Sequence, residues 1–382
     1  GRYEKNRGNI GKCITYYNKA IEIDPWYKSA VNELAYTYNE IGSFNEAIQM
    51  ANKYIEIAPH EPNPYDTKGD IFLRNHDYDS ALVYMNKAIE VRPDYYFSWS
   101  SIAYIHLKTG EYAKAQDAMN HLNGSTLQQH ILMNRLGTVN IFIYQGKFNK
   151  AIKYLDSLIY NFNIDDADAN DMFVIEYSHI IKTNIYAEKE QYNLALKELD
   201  KFQKIWKIRV PGEIKRMESY RVKLLALNGE FSKAYEIAEE HKELLKKSKI
   251  GLHSYWHALG GIYYAQKDYL RAIEYYNMAA EKIGFSSLYM LAKSYLGAGE
   301  YGAAISYFDN IYNDFDTYSH SGNISKAKIY YYNGRACEES NWHQRAKCEY
   351  QHFIDTWENG DSDIKSLHDA RERLQSLEEK SK

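Results

Sequence analysis

Apolar and polar positions alternate along the chain in pairs of short amphipathic stretches. The clearest pair is HSYWHALGGIYYAQKDYLRAIEYYNMA, from His253 to Ala279. Trp256, Leu259, Gly260 and Tyr263 fall on one face at helical spacing, and Tyr269, Ala272, Tyr276 and Ala279 do the same in the second stretch. Gln266-Lys267-Asp268 separates them as a tight turn. Two helices cross closely only where one presents a small residue to the other's bulk. Gly260 and Ala272 are therefore the expected contact points, and Ala279 lets the next pair approach.

The position of Ala272 recurs. Cys13, Ala47, Ala81, Ala115, Ala151, Ala195, Ala234, Ala272, Ala304 and Ala346 form a series with steps of 34, 34, 34, 36, 44, 39, 38, 32 and 42 residues. Three equal steps in a row do not arise by chance, and the later drift predicts a looser second half. Pro25, Pro59 and Pro93 keep the same spacing and stand just after a second helix, where proline stops a helix without removing a ladder bond. Pro62, Pro64 and Pro211 fall at junctions. Counting back, Gly1 takes the place of Gly260, so the chain is expected to open inside a first helix, as a fragment or processed chain. Asn123-Gly124-Ser125 is a turn signal. The acidic stretch Asp165-Asp166-Ala167-Asp168 is placed to cap a helix. From Ile364 to Glu379, Leu367, Ala370, Leu374 and Leu377 make one apolar stripe, as a helix closing an open array should.

This unit resembles the tetratricopeptide repeat, a helix–turn–helix of about 34 residues. Tyr269 stands where phenylalanine is also common in that family. The resemblance implies an all-α fold, a right-handed superhelical solenoid of about nine full repeats with a C-terminal capping helix. Residues 1–25 are read as a truncated first repeat, 26–122 as regular repeats, 123–355 as looser repeats and 363–379 as the cap, in a single array over 1–382. In this family the first helices line a concave face that holds a protein or an extended peptide. Carried over by register, the inward positions include Tyr36, Arg74, Tyr104, Lys108, Asn140, Tyr144, Asn184, Lys223, His257, Tyr264, Lys293 and Arg335. Asn140 and Asn184 hold equivalent places in adjacent repeats, and each amide offers a donor and an acceptor to a peptide backbone. The two ends are also similar to the repeat regions that follow catalytic or DNA-binding domains in bacterial serine/threonine kinases, nucleotide cyclases and winged-helix regulators. Tyr350, Phe353, Trp357, Asp361, Asp363, Ala370 and Leu374 carry that likeness at the C-terminal end. It implies a sensor or docking region of a signalling protein.

Composition narrows the function classes. A formal net charge of -4 gives no support for a general nucleic-acid binder. No apolar run is long enough to span a membrane. No phosphate-cradling, nucleophile-elbow or zinc-protease motif occurs, so the chain reads as non-enzymatic, without a cofactor. His253 and His257 are four residues apart on a helix, yet nothing nearby completes a metal site, and none is expected. Cys13, Cys337 and Cys348 are an odd number without pairing logic. They are expected as buried apolar side chains, in keeping with the cytoplasm. A periplasmic or extracellular place would follow if an upstream signal or membrane segment had been removed. Two open ends allow a second reading, a structural protein that associates end to end into fibres or oligomers.

Overall fold

The computed structural model describes residues 9–125, 128–160, 168–210, 217–314 and 326–380. Gly1, Asp165-Asp166-Ala167 and Pro211, which entered the sequence expectations, lie outside the described residues. Among the described residues there is no strand, and twenty α-helices follow in order. Helix α1 (Ile10–Ile23) is the second helix of the first repeat. Helix–turn–helix pairs follow: α2 (Lys28–Glu40) and α3 (Phe44–Ile57), α4 (Pro62–Arg74) and α5 (Tyr78–Val91), α6 (Tyr96–Lys108) and α7 (Tyr112–His121), α8 (Gln128–Tyr144) and α9 (Phe148–Tyr160). Then come α10 (Ala169–Glu188) and α11 (Tyr192–Arg209), α12 (Glu218–Leu227) and α13 (Phe231–Lys247), α14 (His253–Ala265) and α15 (Tyr269–Ile283). The last pairs are α16 (Phe285–Ala298) and α17 (Tyr301–Asp314), then α18 (Lys326–Glu339) and α19 (His343–Thr356), before the terminal α20 (Lys365–Glu379). The helices group into two compact units, residues 1–141 and 142–382.

One turn builds every pair. Gly42, His76, Gly110, Gly146, Glu190, Gly229, Lys267, Gly299 and Asn341 all have positive φ, and each stands five residues before its repeat's small residue. The next amide reaches back to close the first helix: Ser43 N donates to the Tyr38 carbonyl at 2.9 Å, Asp268 N to Tyr263 at 2.9 Å and Trp342 N to Cys337 at 2.8 Å. This left-handed C-cap satisfies helix-end carbonyls that would otherwise be orphaned. Five of the nine positions are glycine. At the other four an L side chain accepts the strain that glycine avoids.

The small-residue series explains how each pair closes. All ten members, from Cys13 to Ala346, are 0% exposed. A Cβ on Gly260 would stand 2.9 Å from the Tyr276 ring, one on Gly69 would stand 2.8 Å from Met85 Cγ, and one on Gly334 2.8 Å from Tyr350. In each case a hydrogen faces a bulky side chain of the partner helix, so the axes come close enough to bury it. Each next first helix then packs over the preceding pair. Val222 and Leu225 of α12, Ala234 and Ala238 of α13, and Ala258, Leu259 and Ile262 of α14 form one core across three helices. Burial of that kind is worth about 1.5–3 kcal/mol per large aliphatic side chain. Asp168 performs its expected task, accepting the Asp171 amide at 2.8 Å at the start of α10.

The 142–382 unit has a contact that a simple array lacks. The segment between α19 and α20 returns to the turn between α8 and α9. Trp357, 0% exposed, lies against Phe148 with ring centroids 5.4 Å apart. Asp361 N donates to the Gly146 carbonyl at 2.9 Å, and Asn149 N donates to the Asp361 carboxylate at 2.7 Å. Lys189 pairs with Asp363 at 2.8 Å and Lys365 with Glu190. Helix α20 buries Leu367, Ala370 and Leu377 as a capping stripe should.

One sequence expectation is corrected. Cys13 and Cys337 are buried, but Cys348 is exposed. It stands two residues past the buried Ala346, about 200° around the helix and so on the opposite face. No helix among the described residues is long and apolar enough to cross a membrane.

Candidate functional site

In the 1–141 unit, the register places Tyr36, Arg74 and the Tyr104/Lys108 pair on the first helices α2, α4 and α6. Arg74 Nε donates to Asp70 at 2.7 Å, and its guanidinium lies 5.9 Å from the Tyr36 ring centre. Lys108 Nζ lies 5.4 Å from the Tyr104 ring. Behind them, Ser98 Oγ donates to Asp66 at 2.6 Å. Burial pushes the Asp66 carboxyl up to about 6, opposed by that hydrogen bond and aided by Asp70. Asn140 is half-buried on α8.

The remaining candidates lie in the 142–382 unit. Tyr144 on α8 and Asn184 on α10 are half-buried. Lys223, His257, Tyr264 and Lys293 come from α12, α14 and α16, and they converge. Lys293 Nζ lies 4.4 Å from the Tyr332 ring centre, 5.3 Å from Tyr264 and 5.6 Å from Tyr289. Lys223 Nζ lies 4.7 Å from Tyr220. Ammonium ions over aromatic faces gain about 0.5–2 kcal/mol each. Burial, then the charge of Lys293, pushes the Lys223 ammonium down to about 8. His257 is only 4% exposed, and its Nδ1 lies 2.9 Å from Ser287 Oγ on the next first helix. Burial and then Lys223 hold its imidazole down to about 3, so it is neutral. Burial works to raise the Tyr332 phenol, but the Lys293 and Lys328 ammoniums outweigh it and bring the pKa below the usual value. His253 faces elsewhere, donating from Nδ1 to the Met278 carbonyl at 3.2 Å.

Beside Tyr332 a cavity of about 290 Å³ opens, with Glu188, Lys328, Arg335 and Asp369 in its lining. Lys328 Nζ is held at 2.5 Å from Glu188 and donates to Ser366 Oγ at 2.7 Å. Asp369 is taken by Tyr331 at 2.9 Å and Arg373 at 2.8 Å. Among the described residues Arg335 makes no ion pair, and its buried Nε has no acceptor.

The register brought Lys223, Lys293 and Arg335 into the expected set, and the structure sets Tyr220, Tyr289, Lys328 and Tyr332, which the sequence reading did not single out, beside them. Their signal was available. Tyr220 precedes Lys223 by three residues and Tyr289 precedes Lys293 by four, while Lys328, Tyr332 and Arg335 fall on one stripe of α18. Each aromatic ring was therefore one helical turn from a cation already singled out.

Tetratricopeptide repeat models match residues 67–120, residues 1–25, 29–61 and 253–281, and residues 286–318. Among curated proteins, none matches the sequence. Solved structures similar to the chain include MamA, 20% identical, covering 40% of this chain and 88% of that one with a TM-score of 0.34. Another is the P58(IPK) TPR domain, 12% identical, covering 93% of this chain and 99% of that one with a TM-score of 0.28. With the ten fully buried small residues and the nine equivalent turns, the matched segments make the chain an all-α protein built from tetratricopeptide repeats.

Proposed function

We propose that the chain is a non-enzymatic scaffold that holds a protein or an extended peptide against its first helices. Tetratricopeptide repeats are protein-interaction modules, and the observation that supports an inner binding face is the convergence of Lys223, Tyr264, Lys293 and Tyr332 from four consecutive first helices. Such a face recognises by shape and fixed polar groups, with no bond made or broken. In the wider reading, drawn from the likeness of its two ends, the chain is the docking region of a bacterial signalling protein.

Photo-crosslinking tests the inner face. A benzoylphenylalanine at Tyr264 should trap the partner, whereas the same group at Leu270, 73% exposed on α15, should not. Equal trapping from both positions, or trapping from Leu270 alone, would overturn the reading.

A further inference from the structure

The strap between α19 and α20 carries a chemical weakness. An asparagine followed by glycine can lose its side-chain amide, because the next backbone nitrogen is one ring closure away and glycine has no Cβ to obstruct the approach. Four such pairs occur in the sequence: Asn123-Gly124, Asn228-Gly229, Asn333-Gly334 and Asn359-Gly360. The fold protects three of them. Asn333 is 3% exposed inside α18, and its Nδ2 donates to Asp309 at 3.0 Å and to Glu349 at 3.2 Å. Asn123 lies in a single 3-10 turn, Leu122–Gly124, and its Oδ1 accepts from Asn134 at 2.6 Å. In helical backbone the following N–H points along the axis, away from the side chain that it would attack. Asn228 ends α12, with its Nδ2 donating to Glu230 at 2.7 Å and to Asn193 at 3.0 Å.

Asn359 differs. Its side chain is exposed and makes no hydrogen bond among the described residues. The glycine beside it has a steric reason, since a Cβ on Gly360 would stand 3.0 Å from the Trp357 carbonyl oxygen. The strap therefore keeps an unobstructed nitrogen next to an untethered amide. One bond restrains that nitrogen, from Gly360 N to the Trp357 carbonyl at 2.9 Å, so it is available only when this turn opens. What the strap holds makes the site consequential. Lys147, the residue before α9, has no side-chain acceptor, and Asp361 caps that helix in its place by accepting Asn149 N at 2.7 Å. Burial pushes the Asp361 carboxyl up against the Asn149 amide and Lys189, and the like charge of Asp363 adds to the rise.

We propose that Asn359 is a self-modification site whose product unfastens the strap from the α8–α9 turn. The Gly360 nitrogen gives its proton to solvent and bonds to Asn359 Cγ. The bond from Cγ to Nδ2 breaks, and ammonia leaves. Water then opens the imide ring at either carbonyl, giving aspartate or an isoaspartate whose main chain runs through Cβ and Cγ. Water enters, ammonia departs and nothing is oxidised. Either product sets a new carboxylate among Glu358, Asp361 and Asp363. The isoaspartate also adds one carbon to the main chain between Trp357 and Asp361, whose spacing sets both the ring contact with Phe148 and the cap on α9.

Ageing the full chain in near-neutral buffer made with heavy-oxygen water, followed by peptide mass spectrometry, measures conversion at each pair. Asn359 should convert first, and Asn333, which reacts only through opening of α18, should lag by at least about tenfold. In urea all four should react at similar rates, with Asn359 about fivefold faster than in the folded chain, as the loss of one net hydrogen bond allows. Asp361→Ala, which takes the cap away, should speed Asn359 towards that unfolded rate. If that variant does not fold, Lys365→Ala, which removes only the exposed pair with Glu190, should speed it too. Converted chains, separated by their added charge, should exchange amide hydrogens faster at 142–151 than Asn359→Gln chains aged in parallel. First conversion at Asn123, Asn228 or Asn333 would overturn the site. An Asn359 rate unchanged by urea would overturn its restraint by the strap. Equal exchange at 142–151 in converted and Asn359→Gln chains would overturn the unfastening.

Discussion

Acid should loosen the 142–382 unit through His257. The imidazole is neutral in the fold, with its pKa held down to about 3 by burial and by Lys223, and in the unfolded chain it regains its ordinary value of 6.5. A histidine depressed in the folded state binds fewer protons there than when unfolded, so its contribution is complete above about pH 6.5. It is lost progressively as the pH falls towards 3. Between about pH 7.5 and pH 5 the loss is about RT ln 30, or about 2 kcal/mol. That interval lies above the range in which Glu198, held down to about 2 against burial by His179, Lys201 and Lys182, begins to matter. His241, lowered by burial, acts in the same direction as His257. Asp66, pushed up to about 6 in the 1–141 unit, acts in the opposite one. The readout must therefore be local. Hydrogen exchange of α14 and α16 peptides in moderate urea, at both pH values, isolates the unit. His257→Gln keeps a partner for Ser287 but does not titrate. It should start about 1 kcal/mol less stable at pH 7.5 and then lose about 2 kcal/mol less on acidification. An identical pH response in the parent and the variant would refute the reasoning.

Three further outcomes follow from the same coordinates. Lys267→Gly should stabilise the α14–α15 turn by about 0.5–1 kcal/mol, since φ is +61° there, and Gly229→Ala at an equivalent turn should destabilise by a similar amount; thermal melts of both variants check the pair of signs. Gly146→Ala should cost more, about 2 kcal/mol or above, because φ is +67° and the new Cβ would stand 2.9 Å from Trp357; urea denaturation followed by tryptophan fluorescence reads it. Native-state alkylation should modify Cys348 and spare Cys13 and Cys337, the latter thiol being buried and pushed up to about 12, while all three react after unfolding. Mass spectrometry of intact protein distinguishes the patterns.

The repeat was legible because its physics is local. A helix crossing demands a small residue at a fixed place, so the series from Cys13 to Ala346 could be read without coordinates, and every member is fully buried. The turns were legible where glycine marks them, less so at His76 and Asn341, residue types that tolerate a positive φ, and least at Glu190 and Lys267, where the residue type gives no sign of it. Lys223 and Lys293 could be placed from helical spacing. The rings that surround Lys293 could not, since Tyr264 and Tyr332 reach it from other helices. His257 was expected to face a partner; the hydrogen bond between its Nδ1 and Ser287 Oγ, 30 positions on, could not be read from its own helix. The return of Trp357 to Phe148 has no periodic signature at all.

That return changes how the 142–382 unit must fold. In an open array each repeat needs only its neighbours, and order can begin anywhere and spread. Asn149 and Asp361 are 212 positions apart, and joining ends across such a span costs about 5 kcal/mol of chain entropy. The contact cannot lead; it forms only once the intervening helices have shortened the path. On a ribosome adding about 5–20 residues per second, the Gly146–Asn149 turn waits tens of seconds for the segment that covers it. The α8–α9 turn is thus among the earliest parts of the unit to be made and among the last to reach its final surroundings.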